Sequence, residues 1–118
     1  GLKVDDGGFI LVDDCLQSVS HPAVFAAGDC ATMVNYPRPK SGVYAVRAGP
    51  PLAENLRRCL RGEKLAPHVP QERSLYLIST GYKYAIGSWG EFAWEGKWVW
   101  RWKDWIDRGF VKKYWVSA

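Results

Sequence analysis

Gly28 and Asp29 close an apolar run, Val24-Phe25-Ala26-Ala27, and lead into Cys30 and Ala31. A carboxylate accepts hydrogen bonds from hydroxyls, so Asp29 at the end of a strand can hold a sugar or ribityl hydroxyl. Gly28 lets the backbone come close to such a ligand. Ala26, Ala27 and Ala31 keep the surroundings small. The residues alone leave a second use open with about equal weight, in which Asp29 caps the turn that follows it. No other side chain stands out as an acid, a base or a nucleophile. His21 precedes a proline and His68 sits among prolines, which reads as two solvated loop residues. Cys15, Cys30 and Cys59 are scattered, with no CxxC pair and no Cys/His cluster, so no zinc site is expected. They read as reduced, inert thiols of a cytosolic protein. The expected catalytic set and the expected metal set are both empty.

An acid at a strand end needs a sheet behind it. "GGFILVDD" reads as a strand entered through the Gly7-Gly8 turn, and "PAVFAAG" as a second, more buried strand stopped by Gly28. Apolar strands that do not alternate suit a parallel sheet covered on both faces. In open sheets of that kind, ligands bind outside the carboxyl ends of the strands. "VNYPRPKSG" is a loop, Ser41 is placed to cap a helix starting at Gly42, and Gly62 stops it. Pro50 and Pro51 remove the bonds to the carbonyls of Val46 and Arg47, which predicts a kink or break near Gly49 and two helical pieces. The segment 63–74 is Pro-containing and reads as a linker between a part spanning 1–62 and a part spanning 75–118. In the latter, "SLYLIST", "KYAIGSW" and "EFAWEG" are separated by the turn signals Thr80-Gly81 and Trp89-Gly90, a small antiparallel meander. A last helix puts Trp98, Trp102, Trp105, Ile106 and Phe110 near one face, and Arg101, Asp104, Arg108 and Lys112 near the other. Trp100 and Trp115 spoil this pattern. The expected fold class is therefore an α/β fragment, with short strands and a kinked helix followed by a meander and an amphipathic helix.

The totals agree with one modest globular body: 118 residues, 47% hydrophobic and 24% charged. Residues 1–31 carry a net charge of −4, residues 32–96 carry +4 and residues 97–118 carry +4, summing to the overall +4. All seven tryptophans lie between Trp89 and Trp115. An acidic start and a basic, Trp-rich end suggest two functional regions. No apolar run has the length of a membrane span, and the opening "GLKVDDGG" does not read as a signal peptide.

"VFAAGDCA", with "GFILVDDCLQSVSHPA" before it, resembles the second flavin-binding motif of the FAD-dependent pyridine nucleotide–disulfide oxidoreductases. The resemblance covers residues 1 to about 62. It implies that Asp29 binds the ribityl chain of FAD, with Gly28 beside it. It also implies a helix whose N-terminus faces the flavin ring, placing the backbone of Gly42 and Val43 near the flavin and Lys40 and Ser41 close by. An exposed loop lysine is an equally good reading of Lys40. A helix N-terminus offers free N–H groups and partial positive charge, suited to the pyrimidine end of a reduced flavin. "RPKSGVYAVRAGPPLAENLR" with "WVWRWKDWIDRGF" is similar to the NADH dehydrogenase-like branch, closest to the bacterial members linked to selenide, water dikinase. The two G-x-G-x-x-G motifs of such enzymes, for FAD and for NAD(P)H, are absent, as is a redox cysteine pair. The chain is therefore expected to be the C-terminal piece of a longer flavoenzyme, binding FAD weakly or not at all by itself.

The resemblance implies a parent that passes electrons from NAD(P)H through FAD to a quinone, or to a sulfur or selenium species. The other class of reading is non-catalytic. In it residues 75–116 form a homodimer face, a seat for a fused partner domain, or a peripheral contact with the inner membrane surface of a cytoplasmic protein. Packing of the tryptophans on the meander is weighed together with subunit contact. Two aspartates in the last helix argue against a track for nucleic acid.

Overall fold

The computed structural model describes residues 1–116; Ser117 and Ala118, the end of the segment assigned above to 75–118, lie outside the described residues. The chain divides into two compact units, Gly1–Glu72 and Arg73–Ala118.

In the first unit, β1 (Ile10–Val12) pairs in parallel with β2 (Ala31–Met33), with Ile10 opposite Ala31 and Val12 opposite Met33. Asp5 organises the entry to β1: its Oδ1 accepts the N–H groups of Gly7 (2.9 Å) and Phe9 (3.0 Å), and its Oδ2 accepts the Thr32 hydroxyl of β2 at 2.7 Å. Asp13 shapes the exit in the same way, its Oδ1 accepting the N–H groups of Cys15 (2.8 Å) and Gln17 (3.1 Å). Both are side-chain mimics of a backbone turn, and they explain why strands of only three residues hold their places. Val12, Leu16, Ala26, Ala31 and Ala48 form the core, with Ile10, Ala27, Met33 and Leu52 packed against it.

Two expectations are corrected in this unit. The strand over "PAVFAAG" is absent: Phe25 makes one isolated antiparallel bridge to Gln17, and the true second strand begins after Asp29, at Ala31. Ser18 N–H donates to Val24 O and Ala26 N–H to Leu16 O, so this stretch is held by the preceding loop. Gly28 then enters the left-handed region (φ +78°) and a single turn of 3-10 helix, Gly28–Cys30, intervenes. Asp29 thus stands before a strand, not at the carboxyl end of one.

The second correction concerns the prolines. α1 runs from Gly42 to Leu60 as one helix through Pro50 and Pro51, not as two pieces. The carbonyls that lose their bonds belong to exposed residues, Val46 and Arg47, and water can serve them. Ala48 and Asn55, buried on either side of the proline pair, fasten both halves to the same body.

In the second unit, β3 (Leu75–Gly81), β4 (Tyr84–Trp89) and β5 (Phe92–Gly96) form the expected antiparallel meander, in that order. The first turn is Tyr82-Lys83, both at positive φ (47° and 56°), as a tight hairpin of matching twist requires. Gly90, at φ +59°, opens the second. α2 (Lys97–Lys113) packs chiefly on β4. Gly87 leaves room for the Trp94 indole, whose Nε1 lies 2.6 Å from where a Cβ would stand. Trp94 stacks on Trp102 with centroids 6.5 Å apart. The helix is seated only in part on the face the pattern predicts, through Trp102. Val99 is buried and Trp100, the misfit of the pattern, is half-buried. Trp98, Trp105 and Phe110 are exposed, Trp105 at 74%.

Candidate functional site

A cleft of about 490 Å³, counting the space at its mouth, opens in the first unit. Its wall includes Gly28, Asp29, Lys40 and Ser41 of the expected set. Gly42 and Val43 are not part of the wall; the next residues of α1, Tyr44, Ala45 and Ala48, are. Gly28 also serves the packing of α1. A Cβ built on it would lie 3.3 Å from the Ala45 Cβ, so its bareness lets the first turn of α1 close on the Gly-Asp turn.

The polar groups of this cleft are unequally committed. The exposed Asp29 carboxylate has no hydrogen bond or ion pair among the described residues, and the Gly28–Cys30 turn has no side-chain cap. The capping reading of Asp29 thus finds no bond. Ser41 occupies the N-cap of α1 in extended conformation, yet it makes no capping bond, and its Oγ is buried without a partner. The first N–H groups of α1 therefore keep their donor capacity beside the cleft. Lys40 is committed: its ammonium donates to Ala31 O and, at 3.0 Å, to Thr32 Oγ1, and it stands 4.3 Å from the Phe9 ring centroid. Thr32 in turn donates to Asp5, whose carboxyl is held below the ordinary carboxylate value, first by the Thr32 hydroxyl and then by the Phe9 and Gly7 N–H groups. Lys40 fastens the loop before α1 to β2.

The donor and acceptor set fits a flavin. Free N–H groups and an orphaned hydroxyl at a helix N-terminus suit ring carbonyls, and an uncommitted carboxylate suits a polyol chain. Residues 1–49 match the family profile of the pyridine nucleotide-disulphide oxidoreductases. The chain is also similar to ferroptosis suppressor protein 1 of Xenopus laevis and of Xenopus tropicalis, with 36% identity to each over 87 residues. That is 74% of this chain and 22% of each relative, so the chain spans about a fifth of the length of the curated relatives it matches. The alignment with the relatives is longer than the family segment and so extends past the cleft.

Sequence reasoning missed His68 and Arg38. His68 is not a solvated loop residue: it is half-buried and lines the cleft, and burial pushes its pKa below the ordinary histidine value. Arg38 also lines the cleft and donates to the carbonyls of Gln71 (3.0 Å) and Pro70 (3.4 Å). The prolines at 67 and 70 were the available signal, since they stiffen the segment that carries His68. Among the described residues no three His, Cys, Asp or Glu side chains gather as a metal site.

Proposed function

We propose that this chain supplies part of the flavin site of an NAD(P)H-dependent flavoprotein oxidoreductase. The observation that carries the reading is the uncommitted Asp29 carboxylate beside an uncapped helix N-terminus, in a segment of the pyridine nucleotide-disulphide oxidoreductase type. FAD, when bound, supplies the relay between a two-electron donor and an acceptor. Asp29 accepts hydrogen bonds from ribityl hydroxyls. The backbone N–H groups of Gly42 and Val43 and the Ser41 hydroxyl face the pyrimidine end of the ring, where the helix N-terminus favours negative charge. Lys40 keeps the loop that presents them in place. The chain itself offers no proton donor or nucleophile in the expected set, so its part is to bind and orient. The finer reading is a parent of the NADH dehydrogenase-like branch linked to selenide, water dikinase, reducing a quinone or a sulfur or selenium species. The tail motif "WVWRWKDWIDRGF" supports it.

Asp29→Ala in the full-length protein is expected to remove the visible flavin band after gel filtration. Loss of charge-assisted hydrogen bonds of about 1.5–3 kcal/mol weakens binding roughly tenfold or more. A wild-type protein without flavin absorbance sinks the reading; retention of flavin by the variant sinks the role of Asp29.

A specific observation also favours a docking role for the second unit. α2 leaves Trp98, Trp105 and Phe110 exposed, and among the described residues Lys103 and Arg108 are the cations of α2 that form ion pairs, with Asp107 and Asp104. Exposed aromatic side chains on a helix that also carries Lys97, Arg101, Lys112 and Lys113 suit a peripheral contact with an anionic lipid surface. Flotation with phosphatidylserine vesicles is expected to carry the chain, and Trp105→Glu to abolish it. Monomeric or dimeric protein left at the bottom with wild-type sequence removes the membrane version.

A further inference from the structure

His68 is held in the cleft wall by bonds on both sides of it. Upstream, Asn55 takes Ala66 in a two-way grip: its Nδ2 donates to Ala66 O at 2.8 Å and its Oδ1 accepts Ala66 N–H at 2.8 Å. Downstream, Arg38 holds the carbonyls of Pro70 and Gln71. Between them, the N–H of His68 itself donates to Asp14 O at 2.7 Å. Pro67 and the buried Pro70 limit the backbone freedom that remains. Residues 66–71 therefore form a strap across the first unit, pinned by Asn55 of α1 and by Asp14 and Arg38 of two loops. None of these bonds engages the imidazole. Burial disfavours the charged form of the ring. The other ionisable side chains of the cleft wall are Asp29, Tyr36, Arg38, Lys40 and Tyr44. A polar ring, half-buried, pinned in place and without a bonded partner among the described residues, is furnished for something that enters the cleft.

We propose that His68 is a further cofactor-positioning residue of this cleft, a neutral imidazole that hydrogen-bonds the bound flavin and makes its retention depend on pH. The proposal rests on the flavin reading above. Protonation would place a charge on a ring that the occupant desolvates further, so binding opposes protonation and low pH opposes binding. The sign follows from the direction of the shift. The folded ring takes up its proton below the ordinary histidine value, so retention holds at neutral pH and declines as pH falls through the range below that value.

The test uses the full-length flavoprotein, wild type and the variants His68→Gln and His68→Phe, with FAD as the probe. The dissociation constant is followed by flavin fluorescence between neutral and mildly acidic pH, and thermal melts confirm folding. His68→Gln keeps a hydrogen-bonding group and is expected to bind within a few-fold of wild type at neutral pH, with a flatter pH profile. His68→Phe loses the hydrogen bond and is expected to bind about fivefold more weakly, the value of one ordinary bond. The wild-type His68 ring resonances should shift when FAD is added. A wild-type protein that binds FAD, loses it on Asp29→Ala, and shows unchanged affinity and pH profile in both His68 variants overturns this inference alone. A wild-type protein that never binds FAD overturns the inference together with the reading beneath it. If either variant fails to melt cooperatively, the wild-type ring shift decides: no movement on adding FAD overturns the proposal.

Discussion

Asn55→Ala is expected to lower the stability of the first unit by about 3 kcal/mol, near the upper end of ordinary single substitutions. Asn55 is fully buried in α1, and its amide joins three chain segments. The Nδ2 protons go to Cys15 O (2.9 Å) and Ala66 O (2.8 Å), and Oδ1 takes Ala66 N–H (2.8 Å). Truncation leaves two carbonyls and one N–H in the interior without partners, each at a desolvation cost of roughly 1–3 kcal/mol before any relaxation. The measurement is the denaturant midpoint of the 118-residue chain. Leu60→Ala, at a side chain 89% exposed, serves as a control expected to stay within about 0.5 kcal/mol of wild type. Amide exchange gives the second readout. The Ala66 and His68 N–H groups should lose protection in Asn55→Ala well before those of β1. A midpoint within about 0.5 kcal/mol of wild type would show that water or a shift of the strap replaces the clamp.

Asn55 also shows where reading the sequence stopped. In "PPLAENLRRCL" it stands three residues after Leu52 and seven after Ala48, on the inward face, but an asparagine there names no partner, and Cys15 and Ala66 are 40 and 11 residues away. Local pattern found what is local. The three strands of the meander and the turn at Trp89-Gly90 follow from turn chemistry and β-branched or aromatic runs, while the first turn falls on Tyr82-Lys83, just past the expected Thr80-Gly81. The pattern failed where a distant neighbour decides. Ala27 has extended backbone (φ −148°, ψ 163°), as a strand over "PAVFAAG" would need, but an extended segment is a strand only when a neighbour pairs with it along its length. α1 survives two prolines because its anchors, Ala48 and Asn55, are tertiary. Helical spacing gives α2 an apolar face of which Trp102 meets the sheet, yet the helix also buries Val99 and half-buries Trp100, which lie off that face. Of the cleft, the acid and the helix start were legible as motif. His68 and Arg38 were not, because a strap acquires its meaning only from what it is tied to.

Gly28→Ala is expected to do damage on two counts that can be separated. The first is intrinsic: φ of +78° costs a residue with a Cβ about 1–2 kcal/mol. The second is contact: the new methyl would lie 3.3 Å from the Ala45 Cβ, and neither carbon can rotate away. The first turn of α1 must then move by a few tenths of an ångström. A total loss of about 2–3 kcal/mol is expected in the chain. In the full-length protein, flavin affinity should fall further than stability alone accounts for, because the moved turn carries Ser41 and the free N–H groups of Gly42 and Val43. Ala45→Gly isolates the contact. By itself it costs about 1 kcal/mol of helix propensity, and combined with Gly28→Ala it should return the part of the loss that came from methyl against methyl. A coupling energy of zero in this cycle would assign the whole effect to backbone strain, and Gly28 would then be a turn residue with no part in seating the helix. A positive coupling, with flavin affinity recovered alongside it, ties the bare α-carbon of Gly28 to the position of the helix N-terminus, and through it to the cleft.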